Sequence, residues 1–350
     1  MVEVEREDPG VTADEIVAAL ADTTPGSRVV RLARETAEAR FQADVARGLS
    51  ARPRAIPPAC LYDARGSALY EAIVELPEYY PARTEEALLG AITTELAALL
   101  RHHEVVELGS GSSWKTRRIL AAMGAGARPL TYVPVDVNPG MLAASGAALC
   151  EAFPGLAVRG LASRFEDALA SLTPAPARLF VFLGGTIGNL SPDEQDALFN
   201  AMARAMGPGS HLLLGFDRRA HAGKPAQLIH LAYNDARGVT AEFNLNLLVR
   251  LRRELGATIR LESWSHQAFY DSDLHRIEMH LRALEAQVVA IPSLGLEVAF
   301  EAGEGILTEI SRKFDPDELA AWCAACGFAV VASWSDPAER FGLLLLAGPS

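Results

Sequence analysis

One stretch, residues 104–116 with the sequence EVVELGSGSSWKT, constrains the fold more than any other part of the chain. Its short apolar run at 105–108 is typical of a buried parallel strand, and a Gly-Ser-Gly turn at 109–111 interrupts that run. The serines at 112 and 113 can cap a helix over 115–123. The sequence therefore predicts a strand, a glycine turn and a helix, the unit that begins many nucleotide-binding α/β sheets.

The same unit indicates which cofactor it accepts. Glycine is needed where a ligand approaches the main chain closely or where φ must be positive. A second strand candidate, Leu130 to Val137, carries Asp136 near its end, where a carboxylate can accept hydrogen bonds from ribose hydroxyls. Trp114 stands where the dinucleotide fingerprint has its third glycine, which disfavours a pyrophosphate and favours S-adenosylmethionine. The alternative to a cofactor site is an ordinary strand-to-helix turn.

Composition limits the classes of partner. The chain has 350 residues, half of them hydrophobic and 22% charged, as is ordinary for a soluble enzyme of one to three domains. Its net charge of −12 disfavours nucleic acid, which normally requires a basic face. No apolar run is long enough to span a membrane, and the N-terminus lacks the pattern of a secretory signal. We therefore expect a cytoplasmic protein with no nucleic-acid or membrane partner.

The four cysteines form no disulfide framework for a chain of this size. Cys323 and Cys326 make a CxxC, but they lie in a helical pattern with no second Cys or His pair close by. We interpret them as small buried side chains. We therefore expect no metal site and a reducing compartment.

Strand and helix patterns alternate from Glu104 onward, as in a doubly wound sheet. Ligands of such sheets bind outside the carboxyl ends of the strands, so the loops there should share one rim. The predicted strands are Val105–Leu108, Tyr132–Asp136, Ala157–Leu161, Leu179–Leu183 and His211–Phe216.

The loop after Leu183 reads GGTIGNLSPDEQ. Its glycines permit close approach to the backbone, and Asn189 offers donors and an acceptor on a short side chain. Ser191 followed by Glu194 predicts a capping box for the next helix. For Asn189, an Asx turn is as good an interpretation as a ligand contact.

Several segments lie outside the alternation. Periodicity predicts a helix over 29–48, and residues 62–89 carry four tyrosines that indicate either a packed corner or a pocket wall. Thr84 followed by two glutamates predicts a helix start, with the acids in its first turn. Residues 220–311 show a helix and then the two-residue polarity period of antiparallel strands, which predicts an inserted α+β segment.

Six blocks of sequence together resemble a known family, the S-adenosylmethionine-dependent histidine Nα-methyltransferases of ergothioneine biosynthesis, which make Nα-trimethylhistidine (hercynine). The blocks occur in the family's order over residues 62–314. They are YDARGSALYEAIVELPEYYPARTE, VVELGSGSSWKT, FLGGTIGNL, AYNDARGVTAEFN, RIEMHL and LTEISRKF.

The resemblance implies an α/β fold with a Rossmann-like class I methyltransferase sheet and a second α+β domain that binds the substrate. We predict an acidic N-terminal extension at residues 1–27. The substrate-binding domain would combine 28–83 and 220–311, and the methyltransferase domain would combine 84–219 and 312–350.

The resemblance also implies site residues. Contacts to S-adenosylmethionine are expected from Tyr62, Gly109, Lys115, Asp136, Arg164 and Phe165, with Asp136 on the ribose and Phe165 near the adenine. Contacts to L-histidine are expected from Tyr79, from Asn189 and Tyr233 at its carboxylate and amine end, and from Glu309 and Ser311 at its imidazole. Gly184 and Met279 are expected to line the pocket. A buried carboxylate beside a hydroxyl can accept an imidazole N–H and reject an indole or a phenol. By composition alone, Glu309 would be an exposed strand residue.

Two positions depart from the family pattern. Arg164 stands before Phe165 where the family usually has an acidic residue, so the adenine amino group would be met by the main chain. Trp114 replaces a residue that is commonly polar in the family's glycine loop. Neither departure touches the imidazole pocket.

The expected reaction is the transfer of three methyl groups to the α-amine of L-histidine, which must be neutral to attack. The sequence names no general base for removing its proton. Tyr62 and Tyr79 are candidates to contact the methylated cation. We expect a monomer. The alternatives are a methyltransferase for another amino acid or small amine on the same scaffold, a nucleotide-binding oxidoreductase and a non-catalytic binding protein.

Overall fold

The chain divides into two compact units in a computed structural model that describes residues 3–4, 13–32, 37–99, 104–124 and 129–349. The first, here called the sheet unit, comprises Met1–Arg34, Arg83–Arg218 and Phe314–Ser350. The second unit comprises Glu35–Ala82 and Arg219–Lys313.

The described residues form helices and strands in alternation, with an antiparallel section late in the chain. The helices are α1 Ala13–Ala21, α2 Ala37–Ser50, α3 Ala64–Val74, α4 Tyr80–Leu99, α5 Thr116–Ala122, α6 Pro139–Ala152, α7 Phe165–Ser171, α8 Pro192–Ala205, α9 Ala226–Leu231, α10 Val239–Leu255 and α11 Pro316–Ala325. The strands are β1 Glu3–Val4, β2 Gly26–Arg31, β3 Glu104–Leu108, β4 Leu130–Asp136, β5 Leu156–Ala162, β6 Arg178–Phe182, β7 His211–Asp217, β8 Trp264–Asp271, β9 Arg276–Ala283, β10 Gln287–Ile291, β11 Leu296–Phe300, β12 Gly305–Arg312, β13 Ala329–Ser335 and β14 Phe341–Ala347.

The sheet unit is built on a nine-stranded sheet in the order β1-β2-β5-β4-β3-β6-β7-β14-β13. The strands from β1 to β7 pair in parallel, whereas β14 pairs antiparallel to both β7 and β13. Because β3 lies between β4 and β6, the strand before the glycine turn is central. All five predicted parallel strands are confirmed, and so is the predicted α/β fold class.

Both faces of the sheet are buried, which explains why its strands read as continuous apolar runs. Val106 and Phe180 lie in one hydrophobic cluster, while Val105 and Leu179 lie in the other. Neighbouring residues of a strand thus pack on opposite faces, as the two-residue period requires.

The N-terminal part of the chain corrects one prediction. The helix expected over 29–48 begins only at Ala37, because Gly26–Arg31 pairs in parallel with β5 instead. Val29 and Val30 are β-branched residues that suit a strand once a sheet edge is available. Residues 3–4 pair in turn with β2, so these described parts of the predicted acidic extension extend the sheet.

The second unit has a three-stranded antiparallel sheet in the order β12-β9-β8 and a separate β10-β11 hairpin. Helix α10 packs against α3, where Asn246 Nδ2 donates to Asp63 Oδ1 at 2.8 Å. Asp63 also caps α3 by accepting from the Gly66 N–H. The predicted combination of a helix with antiparallel strands is confirmed. Among the described helices, none is long and apolar enough to cross a membrane.

Candidate active site

The glycine turn after β3 follows a backbone path that few residues adopt. Gly109 has φ +73° and Gly111 has φ +49°, and Ser113 is also left-handed at φ +56°. The Gly109 and Ser110 N–H groups both donate to the carbonyl of Val135, at 2.9 and 3.1 Å. This pairing holds the turn at the carboxyl ends of β3 and β4.

The predicted serine cap of the next helix is wrong. Helix α5 starts at Thr116 after Lys115, and no side chain caps it. Instead, the Ser113 hydroxyl lies 2.8 Å from the Tyr132 hydroxyl. Tyr132 and Thr116 both donate to the buried carboxylate of Glu107, the penultimate residue of β3. Burial raises the pKa of Glu107 to about 7.

Asp136 lies beside the glycine turn, as the sequence predicts. One of its oxygens accepts from the Gly111 N–H at 3.0 Å and the other from the Asn138 N–H at 2.9 Å. Burial raises its pKa above the usual value, while these backbone donors act in the opposite direction. The buried Ser110 hydroxyl has no hydrogen-bond partner among the described residues. The turn thus presents a carboxylate and an unmatched hydroxyl at one place.

A residue that sequence reasoning did not assign to the site joins this turn to the loop after β6. Glu85 is completely buried, accepts from the Lys115 ammonium, and accepts from the Gly184 N–H at 2.8 and 3.0 Å on its two oxygens. Helix α4 begins at Tyr80, so Glu85 lies beyond the first turn in which it was expected. A glutamate in a helical pattern normally faces solvent, and the sequence gives no signal that this one is buried.

Two features define the conformation of the loop after β6, a pair of left-handed glycines and a helix capping box. Gly184 and Gly185 both have positive φ, at +75° and +67°. The predicted capping box is confirmed, since Ser191 and Glu194 each accept from the backbone N–H of the other. Asn189 ends a short 3₁₀ helix that lies between the two glycines and the capping box.

Phe165 and Arg164 lie on the same rim. Phe165 is the first residue of α7 and contacts Phe182 edge to face, with ring centroids 5.7 Å apart. A Cβ on Gly109 would lie 3.5 Å from the Phe165 ring. Arg164 precedes α7 as its N-cap, without a side-chain capping bond. Both residues are therefore positioned beside the turn by the start of a helix.

In the second unit, a bulge in β12 determines which side chains share a face. Glu309 pairs with Met279, whereas Leu307 pairs with His280, so Thr308 is the extra residue. Thr308 donates to the Met279 carbonyl at 3.0 Å. After the bulge, Glu309 and Ser311 alternate normally and are both buried. The alternative that composition alone favours for Glu309, an exposed strand residue, is therefore excluded by its burial.

Four tyrosines of the second unit form a chain of edge-to-face contacts. Tyr62 contacts Tyr70 at 5.5 Å between centroids, Tyr70 contacts Tyr79 at 6.5 Å, and Tyr79 contacts Tyr233 at 6.2 Å. Burial raises the pKa of Tyr79 well above its ordinary value, and the nearby Tyr70, Tyr233 and Glu309 act in the same direction. These contacts place Tyr79 and Tyr233 beside the β12 face that carries Glu309.

Lys313 completes this group, although the sequence did not single it out. Its ammonium donates to the Ser311 hydroxyl at 2.9 Å and to the Tyr233 hydroxyl at 3.2 Å. The Tyr233 and Ser311 hydroxyls are themselves 2.8 Å apart. The only sequence signal was its place in the block LTEISRKF, two residues after Ser311.

The expected site residues thus fall into two groups. The sheet unit holds Gly109, Lys115, Asp136, Arg164, Phe165, Gly184 and Asn189, and the second unit holds Tyr62, Tyr79, Tyr233, Met279, Glu309 and Ser311. The expectation that both groups face one cavity stays a prediction.

The described residues contain no group of His, Cys, Asp or Glu side chains that could hold a metal ion. The CxxC lies on and just after α11, where burial raises the pKa of the Cys323 thiol to about 12. A thiol with so high a pKa is unreactive at neutral pH.

A parallel sheet with one antiparallel strand inserted near its end, a glycine turn after its central strand and an acid at the end of the neighbouring strand define a class I methyltransferase fold. A family model described as histidine-specific methyltransferase, SAM-dependent, matches residues 41–348. The chain belongs to this family of enzymes.

Relatives cover most of the chain. The histidine N-alpha-methyltransferase of Mycolicibacterium smegmatis is 43% identical over 314 residues, which are 90% of this chain and 97% of the relative. That of Mycobacterium tuberculosis is 42% identical, over 87% of this chain and 94% of the relative. Ergothioneine biosynthesis protein 1 of Neurospora crassa is 25% identical over 96% of this chain, which spans 38% of that longer protein.

Proposed function

We propose that this enzyme transfers methyl groups from S-adenosylmethionine to the α-amino group of L-histidine three times, giving hercynine for ergothioneine biosynthesis. Family membership supports the donor and the amino acid. The observation that carries the proposal is the buried face of β12, where Glu309 and Ser311 lie beside Tyr233 and Tyr79. The name of the Neurospora crassa relative supports the pathway.

The residues of the glycine turn fit the methyl donor. Gly109 and Gly111 have positive φ and carry no Cβ, so a nucleoside could approach the backbone closely at this turn. Each oxygen of Asp136 accepts one backbone N–H and retains a lone pair for a ribose hydroxyl. The unmatched Ser110 hydroxyl is a further polar group for the ligand. Phe165 beside Gly109 would pack against the adenine.

The cofactor, when bound, supplies an electrophilic methyl group on a sulfonium. Lys115 would contact the cofactor while its ammonium is neutralised by Glu85, which limits repulsion of the sulfonium. The same carboxylate fixes the Gly184 N–H, so the turn and the loop after β6 are held together.

The substrate residues would bind L-histidine at both of its ends. Glu309 would accept an imidazole N–H, and Ser311 would meet the other ring nitrogen. Asn189 and Tyr233 would bind the carboxylate and amine end, while Tyr79, Gly184 and Met279 line the pocket. Because the reacting amine needs only to be neutral and aligned with the methyl carbon, positioning supplies much of the rate.

The experiment is to incubate the purified protein with methyl-labelled S-adenosylmethionine and each amino acid in turn. Label is expected on histidine, and mass spectrometry should reveal mono-, di- and trimethylated products in succession. Label on another amino acid and none on histidine would refute the proposal. A product that stops at one methyl group would refute only its trimethylation part.

A second candidate function is methylation of a different amino acid or small amine on the same scaffold. The burial of Glu309 and Ser311 disfavours it, since an aliphatic side chain would offer neither of these buried polar groups a hydrogen bond. The same labelling experiment separates the two functions.

A further inference from the structure

Ser113 has a backbone conformation that serine seldom adopts, at the point where the glycine turn passes into α5. Its φ is +56°, in the left-handed region where a Cβ crowds the following carbonyl oxygen. Glycine adopts this conformation freely, because it has no Cβ. A serine stays in it only where contacts of its own outweigh the strain.

The side chain of Ser113 has such a contact. It is buried, and its hydroxyl lies 2.8 Å from the hydroxyl of Tyr132, its only side-chain partner among the described residues. Tyr132 is itself fully buried and donates to the Glu107 carboxylate, which also accepts from Thr116. Because a buried carboxylate is costly to leave without its donors, Glu107 keeps the Tyr132 hydroxyl in place.

The backbone of Ser113 closes the glycine turn. Its N–H donates to the Ser110 carbonyl at 2.8 Å, and between these two serines the Gly111 N–H donates to Asp136 at 3.0 Å. The buried Ser110 hydroxyl, which has no partner in the described part of the chain, belongs to the same closed turn. If Ser113 left its conformation, this closing hydrogen bond would be lost. Both Ser110 and Gly111 could then shift.

One strand supports the turn along its length. The Gly109 and Ser110 N–H groups donate to the Val135 carbonyl, and the two later attachments of the turn, through Asp136 and through Tyr132, also lie on β4. Tyr132 therefore attaches the end of the turn to the strand that carries the carboxylate expected at the ribose.

We propose that Tyr132 is a positioning residue for the methyl donor, since by holding Ser113 in its left-handed conformation it keeps the turn from Ser110 closed in the shape that accepts the cofactor. This inference rests on the proposed function, in which the glycine turn receives S-adenosylmethionine. Tyr132 acts through Ser113 and not by contact with the cofactor, because its hydroxyl is occupied by Ser113 and Glu107.

The test compares two substitutions of Ser113 that both remove the hydroxyl. Alanine keeps the Cβ and therefore the strain, whereas glycine removes both. Calorimetry should show that Ser113→Ala binds S-adenosylhomocysteine about tenfold more weakly than the wild type, and that Ser113→Gly binds it at least about threefold more tightly than Ser113→Ala. A hydroxyl that contacted the cofactor directly would be missing from both variants, so their dissociation constants would then be equal.

Tyr132→Phe removes the support and leaves Ser113 unchanged. It should weaken S-adenosylhomocysteine binding about fivefold or more in the wild-type background, but less than about twofold in the Ser113→Gly background, because glycine needs no support. Binding of L-histidine in the presence of saturating S-adenosylhomocysteine should stay within about twofold in each variant.

Thr116→Val is the matched control, since Thr116 is the other side-chain donor to Glu107 and lies in α5. It should lower the midpoint of urea unfolding, as Tyr132→Phe does, and leave the dissociation constant of S-adenosylhomocysteine within about twofold. A Thr116→Val protein that binds the cofactor product as weakly as Tyr132→Phe would overturn the proposal, because the effect would then follow the stability of the buried network.

Equal dissociation constants for Ser113→Ala and Ser113→Gly would also overturn the proposal, and so would a folded Tyr132→Phe protein with wild-type affinity. The two serine variants decide the question even if Tyr132→Phe fails to fold. By contrast, a folded wild-type protein that does not bind S-adenosylhomocysteine would refute the proposed function itself, and this inference with it.

Discussion

The buried carboxylate of Glu85 offers the most demanding test of how the site is held. Its two oxygens accept from the Lys115 ammonium and the Gly184 N–H, and its side chain is fully buried. In Glu85→Gln, the single amide oxygen cannot replace both carboxylate oxygens as acceptor for the Lys115 ammonium and the Gly184 N–H. The new amide N–H₂ group would then face one of these two donors. Lys115, whose side chain is 17% exposed, loses its charge partner at the same time.

The magnitude follows from these losses. A hydrogen bond to a charged group contributes about 1.5–3 kcal/mol, and breaking a buried ion pair costs about 3–5 kcal/mol. Because glutamine keeps one acceptor, we expect Glu85→Gln to lower the free energy of unfolding by about 2–4 kcal/mol. Lys115→Met made in the Glu85→Gln background should cost about 2 kcal/mol less than in the wild type, because the pair is already broken.

The assay is equilibrium urea unfolding of the four proteins of this double-mutant cycle, together with calorimetric binding of S-adenosylhomocysteine. The neighbouring Glu86 is the matched control, since its ion pair with Arg118 at 2.9 Å is solvent-exposed. Glu86→Gln should change the free energy of unfolding by no more than about 0.5 kcal/mol. The reasoning fails if Glu85→Gln behaves like Glu86→Gln, or if the two effects in the cycle simply add.

Three other predictions concern the two groups of site residues. Glu309→Ala should weaken histidine binding about tenfold or more while S-adenosylhomocysteine binding stays within about twofold; an unchanged histidine titration would remove Glu309 from the pocket. Gly109 has φ +73°, and an added Cβ would lie 3.5 Å from the Phe165 ring. Gly109→Ala should therefore strain the backbone, lower the free energy of unfolding by about 1–2 kcal/mol and weaken S-adenosylhomocysteine binding. Wild-type values in urea unfolding and in calorimetry would contradict this backbone strain. Because the pKa of Glu107 is about 7 in the folded protein against 4.5 ordinarily, the folded state binds more protons between these pH values, so wild-type stability should fall as pH rises from 4.5 to 7. Glu107→Gln should flatten that fall in urea midpoints, and an equally steep fall in the variant would exclude Glu107 as its source.

Much of the fold was predictable because it depends on sequence patterns within short segments of the chain. The strand before Gly109, the alternation that follows it and the Ser191–Glu194 capping box all depend on residues close together in the chain. Where a long-range partner decided the outcome, local patterns failed. Residues 29–31 form a strand because β5 offers its edge, and Ser113 bonds to Tyr132 on a neighbouring strand rather than to its own helix.

The candidate site divides in the same way. By itself, the sequence determined the chemical types at the turn and the loops, the glycines, Asp136 and the motif that contains Glu309, since motifs and turn requirements are properties of short segments. Only the tertiary structure decided that Glu85 is buried between Lys115 and Gly184, and that Glu309 and Ser311 share one buried face after a bulge at Thr308. Hydrogen bonds between side chains far apart in sequence depend on strand register and helix packing, which no short segment encodes.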